Sequence, residues 1–571
     1  MNKMKGPGDE EKLQKLEEIY NQMDEGTRTS LQLKKGMPSS NQEALISESV
    51  QIHEGPPAVY QVIPKKEMMG TLSRLTVGEE DERKTNKTIL LVGETGTGKS
   101  TLINALFNFA VGVKFEDNVW FQIVEDEKRD QTESQTLDVI VYQIFGFEGQ
   151  TLPFSLTIID TPGYGSTRGI EEDNSVSQRL LDLFRSEDGV HQINAVGLVM
   201  KASDNRLSDR LRYIFDSVTS LFGNDLERNI VTLITHSDGK TPENVLQALE
   251  KAKIKCSKNE KNQPAHFLFN NQQKQQRYTE KDINASKYSW DFTNEEMGHL
   301  RDFLKNTKPQ PLKTTVEVLN ERIRLTACIQ NLKERIELNE QKQNEIKQIK
   351  EAYNKHEAEM EKNKNFTIQV DEPYKEKETI SGGKWGLWFY KGAVTCDICE
   401  ENCHYPGCTI AWYPSRCEVM KRGRCTVCTN KCPASDHVKK TWIYVTKTRK
   451  VQKTLNDVKE KYKQNKAECE SKGSLLENLE KETSKLTGEL SLLLDEAFGC
   501  VTKLEQIAMN VNSGSTLVHL DFLIKKMREK GDQEKVQVLE KLKIRMEKEN
   551  ESRSLLQNPG KWFKEVLNIK H

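Results

Sequence analysis

The stretch ILLVGETGTGKSTLINALF, from Ile89 to Phe107, constrains this chain more than any other. Ile89 to Val92 has the composition of a short buried strand, and Thr101 to Phe107 repeats its apolar residues at helical spacing. Gly93 to Ser100 is therefore expected as a strand-to-helix turn. Read as G-x-x-x-x-G-K-[ST], its fixed positions are Gly93, Gly98, Lys99 and Ser100, with Glu94, Thr95, Gly96 and Thr97 inside the loop and Thr101 following it. Glycine lets the backbone curl until several N–H groups point inward, and the helix adds the positive end of its dipole. Such a loop holds phosphates, its lysine reaching the β- and γ-phosphates and its serine hydroxyl ligating Mg²⁺.

The segment SLTIIDTPGYG, Ser155 to Gly165, is an apolar strand ending in Asp-x-x-Gly at the right distance for a second phosphate motif. Asp160 is expected to hold Mg²⁺ through water, and the Gly163 N–H to sense the γ-phosphate. Between the two motifs, Thr136, or alternatively Thr132, is placed to close over the nucleotide and its Mg²⁺. Two further strands, Ala195 to Ser203 and Asn229 to Asp238, flank a helix from about Leu207 to Phe222. Strand and helix in alternation mean an α/β domain with a mostly parallel sheet and helices on both faces. Thr235-His236-Ser237-Asp238 has the form of a Thr/Asn-Lys-x-Asp guanine-reading motif, with histidine in place of lysine. A carboxylate there accepts from both N1–H and N2–H₂ of guanine, a pairing adenine does not offer. Asn270 or Asn271, after the last strand, is the remaining base contact.

Taken together, GETGTGKST, DTPGYG, THSD and FNN, spanning about Lys87 to Pro309, resemble the septin-like branch of GTPases. Within it the resemblance is to the immunity-associated nucleotide-binding proteins and to large uncharacterised relatives in fish, whose cysteine module this chain's also resembles. It implies GTP and GDP binding, with dimerisation across the nucleotide face. Where many small GTPases carry a water-positioning glutamine, this chain has Tyr164, so the implied hydrolysis is slow or completed by another chain. Arg168, just beyond, is placed to reach a partner's phosphates in a face-to-face dimer.

The formal net charge of -1 gives no global basic field, so a nucleic-acid partner is not implied. No apolar run is long enough to span a bilayer, and the opening residues are too polar for a signal peptide, so the expectation is a cytoplasmic protein. With 571 residues and 30% charged side chains, one true core joined to long solvated helices is expected. The expected division is 1–84 mostly disordered, with an extended segment near Tyr60 to Ile63; 85–309 the nucleotide domain; 312–364 and 446–495 coiled-coil helices; 382–438 a cysteine module; and 498–571 shorter helices broken near Gly531.

Eight of the 12 cysteines fall between Cys396 and Cys432. In a reducing compartment such a cluster reads as metal ligation rather than disulfides. CDICEENCHYPGC and CTVCTNKCPASDH share the pattern C-x-x-C-x-x-x-C-x-x-x-x-[CH], giving the tetrads Cys396, Cys399, Cys403, Cys408 and Cys425, Cys428, Cys432, His437. Each is a ligand set for closed structural Zn²⁺, so about two ions are expected. Interleaved pairing, such as Cys396 and Cys399 with Cys425 and Cys428, is equally open, and His404 and Cys417 are left over as substitute ligands. The aromatic run GGKWGLWFYKG before the module is either its small core or a binding patch.

Leu325, Ile329, Leu332, Ile336, Ile346, Tyr353 and Met360 repeat at about 3.5 residues, as do Val451, Leu455, Val458 and Tyr462, then Leu476 to Leu493. These arms are expected to pair antiparallel within the chain, carrying the cysteine module at their tip, or to pair with a second chain. The reading as a whole is a guanine-nucleotide switch or assembly GTPase that forms a homodimer or homo-oligomer. The alternatives are a coiled-coil zinc scaffold with a non-hydrolysing nucleotide domain, or an ATP-using P-loop enzyme.

Overall fold

The computed structural model describes residues 40–69, 72–125, 138–163, 170–203, 218–251, 254–362, 367–381, 383–385, 389–405, 413–461, 473–509 and 514–551. After helix α1 (Ser40–Ser47) come strands β1 (Ser49–His53), β2 (Ala58–Val62), β3 (Lys65–Met69) and β4 (Leu72–Val77). The chain continues with β5 (Asn86–Gly93), α2 (Lys99–Val111), β6 (Val119–Gln122), β7 (Ile140–Ile144), β8 (Ser155–Asp160), α3 (Ile170–Arg185), β9 (Ala195–Lys201), β10 (Ile230–Thr235), α4 (Glu243–Lys251), β11 (His266–Leu268) and α5 (Glu280–Asn306).

One eight-stranded sheet has the order β11-β10-β9-β5-β8-β7-β4-β3. It is parallel from β11 to β8; β7 then runs antiparallel to β8, β4 parallel to β7, and β3 antiparallel to β4. Central β5 alternates its side chains between two apolar layers. Ile89 and Leu91 enter one core with Leu102, Ile103 and Phe107 of α2, and Leu90 and Val92 enter the other with Val176, Leu180 and Phe184 of α3. A strand covered on both faces must be apolar at every position, which is why ILLV has no alternation.

The expectation of disorder through residue 84 is overturned for the described residues from Ser40 onward. β4 and β3 extend the main sheet, and β1 and β2 join β6 in a small second sheet. Leu45, Val59, Val62, Met69 and Leu72 are buried. These strands are five or six residues long and interleaved with solvent-facing charges such as Lys65 and Lys66, so no apolar period marks them. Residues 1–39 lie outside the described residues.

Beyond Leu312, helix α6 (Lys313–Lys362) leads into strand β12 (Thr367–Thr379), then β13 (Ala393–Cys396), β14 (Glu401–His404), β15 (His437–Lys440) and β16 (Trp442–Thr454), followed by α7 (Leu455–Lys461), α8 (Gly473–Ile507), α9 (Gly514–Lys530) and α10 (Gln533–Glu551). α6 and α8 pair antiparallel within the chain, as the ion pairs Lys350–Glu480 (3.2 Å), Arg335–Glu489 (3.4 Å) and Lys503–Glu321 (2.8 Å) record. Leu325, Ile329 and Leu332 meet Leu493, Ala497, Val501 and Leu504, and α9 and α10 complete this core with Leu520, Leu523, Met527 and Leu539. The break falls at Gly531, whose φ of 83° is left-handed.

Two expectations about the arms are corrected. The coiled-coil helix placed at 446–495 begins instead as strand: β16 pairs antiparallel with β12 in unbroken register from Thr367↔Thr454 to Thr379↔Trp442. Val451, Leu455 and Val458 share a helical spacing, and Leu455 and Val458 do lie in α7, but Trp442, Tyr444, Val445, Thr446, Thr448 and Val451 favour a pleated surface, and pairing to β12 holds the chain as strand through Thr454. Nor is the cysteine module at a tip. The β12–β16 ribbon doubles back along α6, with Gln348 Nε2 donating to Asp371 (3.0 Å) and Lys453 paired to Glu345 (3.1 Å). The module therefore returns to the first half of α6, where Asn331 Nδ2 donates to Glu401 (3.3 Å) and the Asn402 carbonyl (3.2 Å).

Candidate nucleotide pocket and metal cluster

β5 ends at Gly93, where a Cβ would stand 2.4 Å from the carbonyl oxygen of Val199 on β9; no side chain fits there. Gly96 and Gly98 take φ of 78° and 87°, the left-handed region that turns the loop back onto itself. α2 starts immediately after, with no side-chain cap on its first N–H groups, which leaves them available to an anion. Lys99 folds back so that its Nζ donates to the carbonyls of Gly93 and Glu94, each at 3.1 Å. The ammonium is buried, and that desolvation lowers its pKa against the opposing pull of Asp160 and Glu94. The Thr95 hydroxyl is buried with no hydrogen-bond partner among the described residues.

Asp160 closes β8 with no exposed surface, and Thr161 Oγ1 donates to the Leu91 carbonyl at 2.9 Å, fixing the start of the D-x-x-G turn. A Cβ on Gly163 would lie 2.6 Å from the Thr95 backbone nitrogen, so this turn rests against the phosphate loop. A buried cation, an unpartnered hydroxyl, an uncapped helix start and a buried carboxylate fit phosphate oxygens accompanied by a hard cation. Ser100, half-buried, and Thr101, exposed, occupy the first turn of α2.

The Thr235 to Asp238 segment joins the loop directly. Thr235 Oγ1 lies 2.6 Å from the Thr97 carbonyl and 3.0 Å from that of Met200. His236, at φ 54°, turns its ring back so that Nδ1 is 3.1 Å from Thr235 Oγ1 and Cε1 lies 3.6 Å from where a Gly98 Cβ would be. Asp238 is exposed and accepts from the Lys240 backbone N–H at 3.0 Å. Of the two asparagines, Asn270 spends its amide on Ser289 Oγ at 3.3 Å, whereas both amide atoms of Asn271 are buried with no partner among the described residues. Of the two, Asn271 is the one whose amide is left uncommitted among the described residues. Thr132, Thr136, Tyr164, Arg168 and most of the Leu207–Phe222 segment lie outside the described residues.

In the cysteine module, chain order does not set the grouping. Ligand atoms of Cys396, Cys399, Cys428 and Cys432 lie within 4.8 Å of one another, and so do those of Cys403, Cys425, Cys428 and His437. The expected sequential tetrads are corrected to interleaved ones, with Cys428 common to both; Cys408 lies outside the described residues. β13 brings this about by pairing with β14 on one side and β15 on the other, which sets Cys396 opposite His437. Cys399 and Cys432 sulfurs are 3.7 Å apart, close to the ~3.8 Å edge of a tetrahedron with ~2.3 Å metal–sulfur bonds. N–H groups of Cys399, Cys428 and Cys432 donate to Cys396, Cys425 and Cys428 sulfurs at 3.3 to 3.4 Å.

Electrostatics point the same way. Burial pushes the Cys396 thiol up to about 12, while hydrogen bonds from Cys399, Cys403 and Cys425 pull Cys428 far down, so the shared sulfur is the one its neighbours favour as thiolate. Burial works against charging His437, but the neighbouring Cys425 and Cys428 outweigh it and carry its pKa up to about 10. His437 Nδ1 is 2.9 Å from the Pro433 carbonyl, which fixes that nitrogen as the donor, and Nε2, beside the sulfurs, is buried with no hydrogen-bond partner among the described residues. The two tetrads together bring six donors around the shared Cys428 sulfur, a group able to hold metal ions. His404 and Cys417, unassigned by spacing, gather separately with Glu418, a residue no motif flagged.

The family model for Septin matches residues 83–184. Neuronal-specific septin-3 of Mus musculus is 32% identical over 140 residues, covering 23% of this chain and 37% of that protein. Septin-5 of Homo sapiens is 28% identical over 189 residues, covering 30% and 45% respectively. The chain thus spans less than half the length of these relatives. Among solved structures, Toc33 from Arabidopsis thaliana in complex with GDP and Mg²⁺ aligns at 17% identity with a TM-score of 0.28, over 41% of this chain and 90% of that one. Residues 83–184 carry a septin-like P-loop domain.

Proposed function

We propose that this chain binds guanine nucleotides and works as a GTP-dependent switch or assembly protein, with a zinc-bound cysteine module as a structural element. The single observation that carries the reading is the buried Lys99 ammonium, held by the Gly93 and Glu94 carbonyls beside Asp160 at an uncapped helix start. In this reading Lys99 leaves its two carbonyl partners for the β- and γ-phosphates, and backbone N–H groups from Gly96 to Thr101 take the remaining oxygens. Ser100 and Asp160 hold Mg²⁺, with Thr136 as the third contributor; the ion neutralises phosphate charge. His236 lies along the purine, Asp238 accepts from its N1–H and N2–H₂, and Asn271 completes the base contact in place of Asn270.

The zinc assignment rests on the donor set: thiolates with one imidazole suit Zn²⁺ better than any hard cation. Dimerisation across the nucleotide face and slow GTP hydrolysis completed by Arg168 of a second copy belong to the same proposal. Turnover per chain should then rise with protein concentration, and Arg168→Ala should remove the rise. The binding reading is tested by titrating the full chain with fluorescent GDP and ADP analogues. Saturable GDP binding with weak or absent ADP binding supports it; equal affinity for both, or no binding to a folded chain, overturns it.

A further inference from the structure

The cysteine module contains a donor group separate from both tetrads, at its contact with the nucleotide domain. His404 ends β14, and Cys417 and Glu418 follow a short 3₁₀ turn, Pro414–Arg416. All three are more than nine-tenths buried, at 5%, 1% and 4% exposure. His404 Nδ1 is 3.1 Å from Cys417 Sγ and 3.4 Å from Glu418 Oε2, and Sγ to Oε2 is 3.7 Å. A tetrahedral zinc with nitrogen and oxygen ligands at about 2.1 Å and sulfur at about 2.3 Å spaces its ligand atoms at about 3.4 to 3.6 Å. The three atoms therefore stand close to three corners of one coordination sphere.

The carboxylate is divided between two tasks. Oε2 faces the histidine and the thiol, while Oε1 accepts from Gln178 Nε2 at 3.1 Å and Arg185 at 3.5 Å, both on α3. The Glu418 carbonyl accepts from Arg324 Nε of α6 at 2.9 Å. This is the arrangement in which outer partners orient a ligating carboxylate and leave its second oxygen for a metal. α3 is the helix that follows the Asp160–Gly163 turn, so the group lies where the module, the stalk and the nucleotide domain meet.

We propose that His404, Cys417 and Glu418 form a further metal site, of zinc-binding character, that fastens the cysteine module to α3. One imidazole, one thiolate and one carboxylate make a borderline ligand set, and three protein donors leave the fourth position to water. A deprotonated thiol and carboxylate with a divalent ion sum to no net charge, which removes the cost of burying either anion alone. A protonated histidine bridging thiol and carboxylate is the arrangement without metal, and the experiment separates the two.

Crystals of the full chain, prepared without added zinc, are measured above and below the zinc absorption edge. An anomalous peak among His404, Cys417 and Glu418 is expected; no peak at that position overturns the proposal, whatever the tetrads contain. Metal content of His404→Ala should fall by one equivalent per chain relative to the unsubstituted protein, and an unchanged content overturns the proposal. Should that variant not fold, the diffraction measurement decides alone.

Discussion

The phosphate loop and the cysteine cluster hold charge in opposite ways. The loop is one contiguous stretch whose donors are largely backbone N–H groups, fixed between β5 and α2 by apolar layers on both faces of the sheet. The cluster draws side chains from separated segments, and among the described residues its own buried aliphatic side chains are few: Ala393, Val394, Val419, Met420 and Val427. A site built on an existing core folds first and then receives its ligand. A site with so little core of its own is expected to need a bound metal in order to fold.

The sharpest way to break this contrast is to remove the metal. Cys428→Ser takes one sulfur from both tetrads, and structural zinc contributes on the order of 10 kcal/mol or more to folding such modules. We expect it to lose the metal of both tetrads and the protection of β13 to β15 from amide exchange, while GDP binding stays within a few-fold of the unsubstituted chain. Loss of both functions together would show that the two regions do not fold independently.

Lys99→Ala should act the other way round. Losing a charge-assisted contact to phosphate is worth about 3 kcal/mol, so GDP affinity should fall on the order of 100-fold. The ligand-free protein should melt within a few degrees of the unsubstituted chain, because the substitution removes a desolvated cation but also the charge that faces buried Asp160. Calorimetry with and without GDP reads both effects. Gly93→Ala tests the scaffold beneath the loop: its Cβ meets the Val199 carbonyl at 2.4 Å, so unfolding free energy should drop by about 1–3 kcal/mol with metal content unchanged.

A smaller effect sits in the helical bundle. Burial, with Lys333 nearby, lowers His519 to about 4, and both ring nitrogens are buried without partners among the described residues. The folded pKa lies below the unfolded value of ~6.5, so the stability tied to neutral His519 is fully present above that pH. It declines as pH falls from 6.5 through 4, by roughly 2–3 kcal/mol. Denaturant unfolding across that window should show the decline, and His519→Phe should flatten it.

The same contrast explains what the sequence reveals. Gly93 to Ser100 is legible because its chemistry lies in adjacent residues and its flanks announce strand and helix. The cysteines are legible as donors, but their partners are fixed by β13 lying between β14 and β15, a fact of topology that spacing does not carry. Glu418 is one acidic residue among 86 until Gln178, more than two hundred positions away, is seen to orient it. Val451 shows the converse failure: it shares a helical spacing with Leu455 and Val458, which do lie in α7, but thirteen residues of cross-strand pairing hold it as strand.

The most direct test of the account is base exchange at Asp238. Its carboxylate is assigned to N1–H and N2–H₂ of guanine; an asparagine amide there loses one acceptor and gains a donor, which suits the O2 carbonyl of xanthine. Competition of GTP, XTP and ATP for the full chain and for Asp238→Asn reads the assignment out. The account predicts that the unsubstituted chain prefers GTP and that the variant prefers XTP. A preference that does not change on substitution, or one for ATP in the unsubstituted chain, would contradict it.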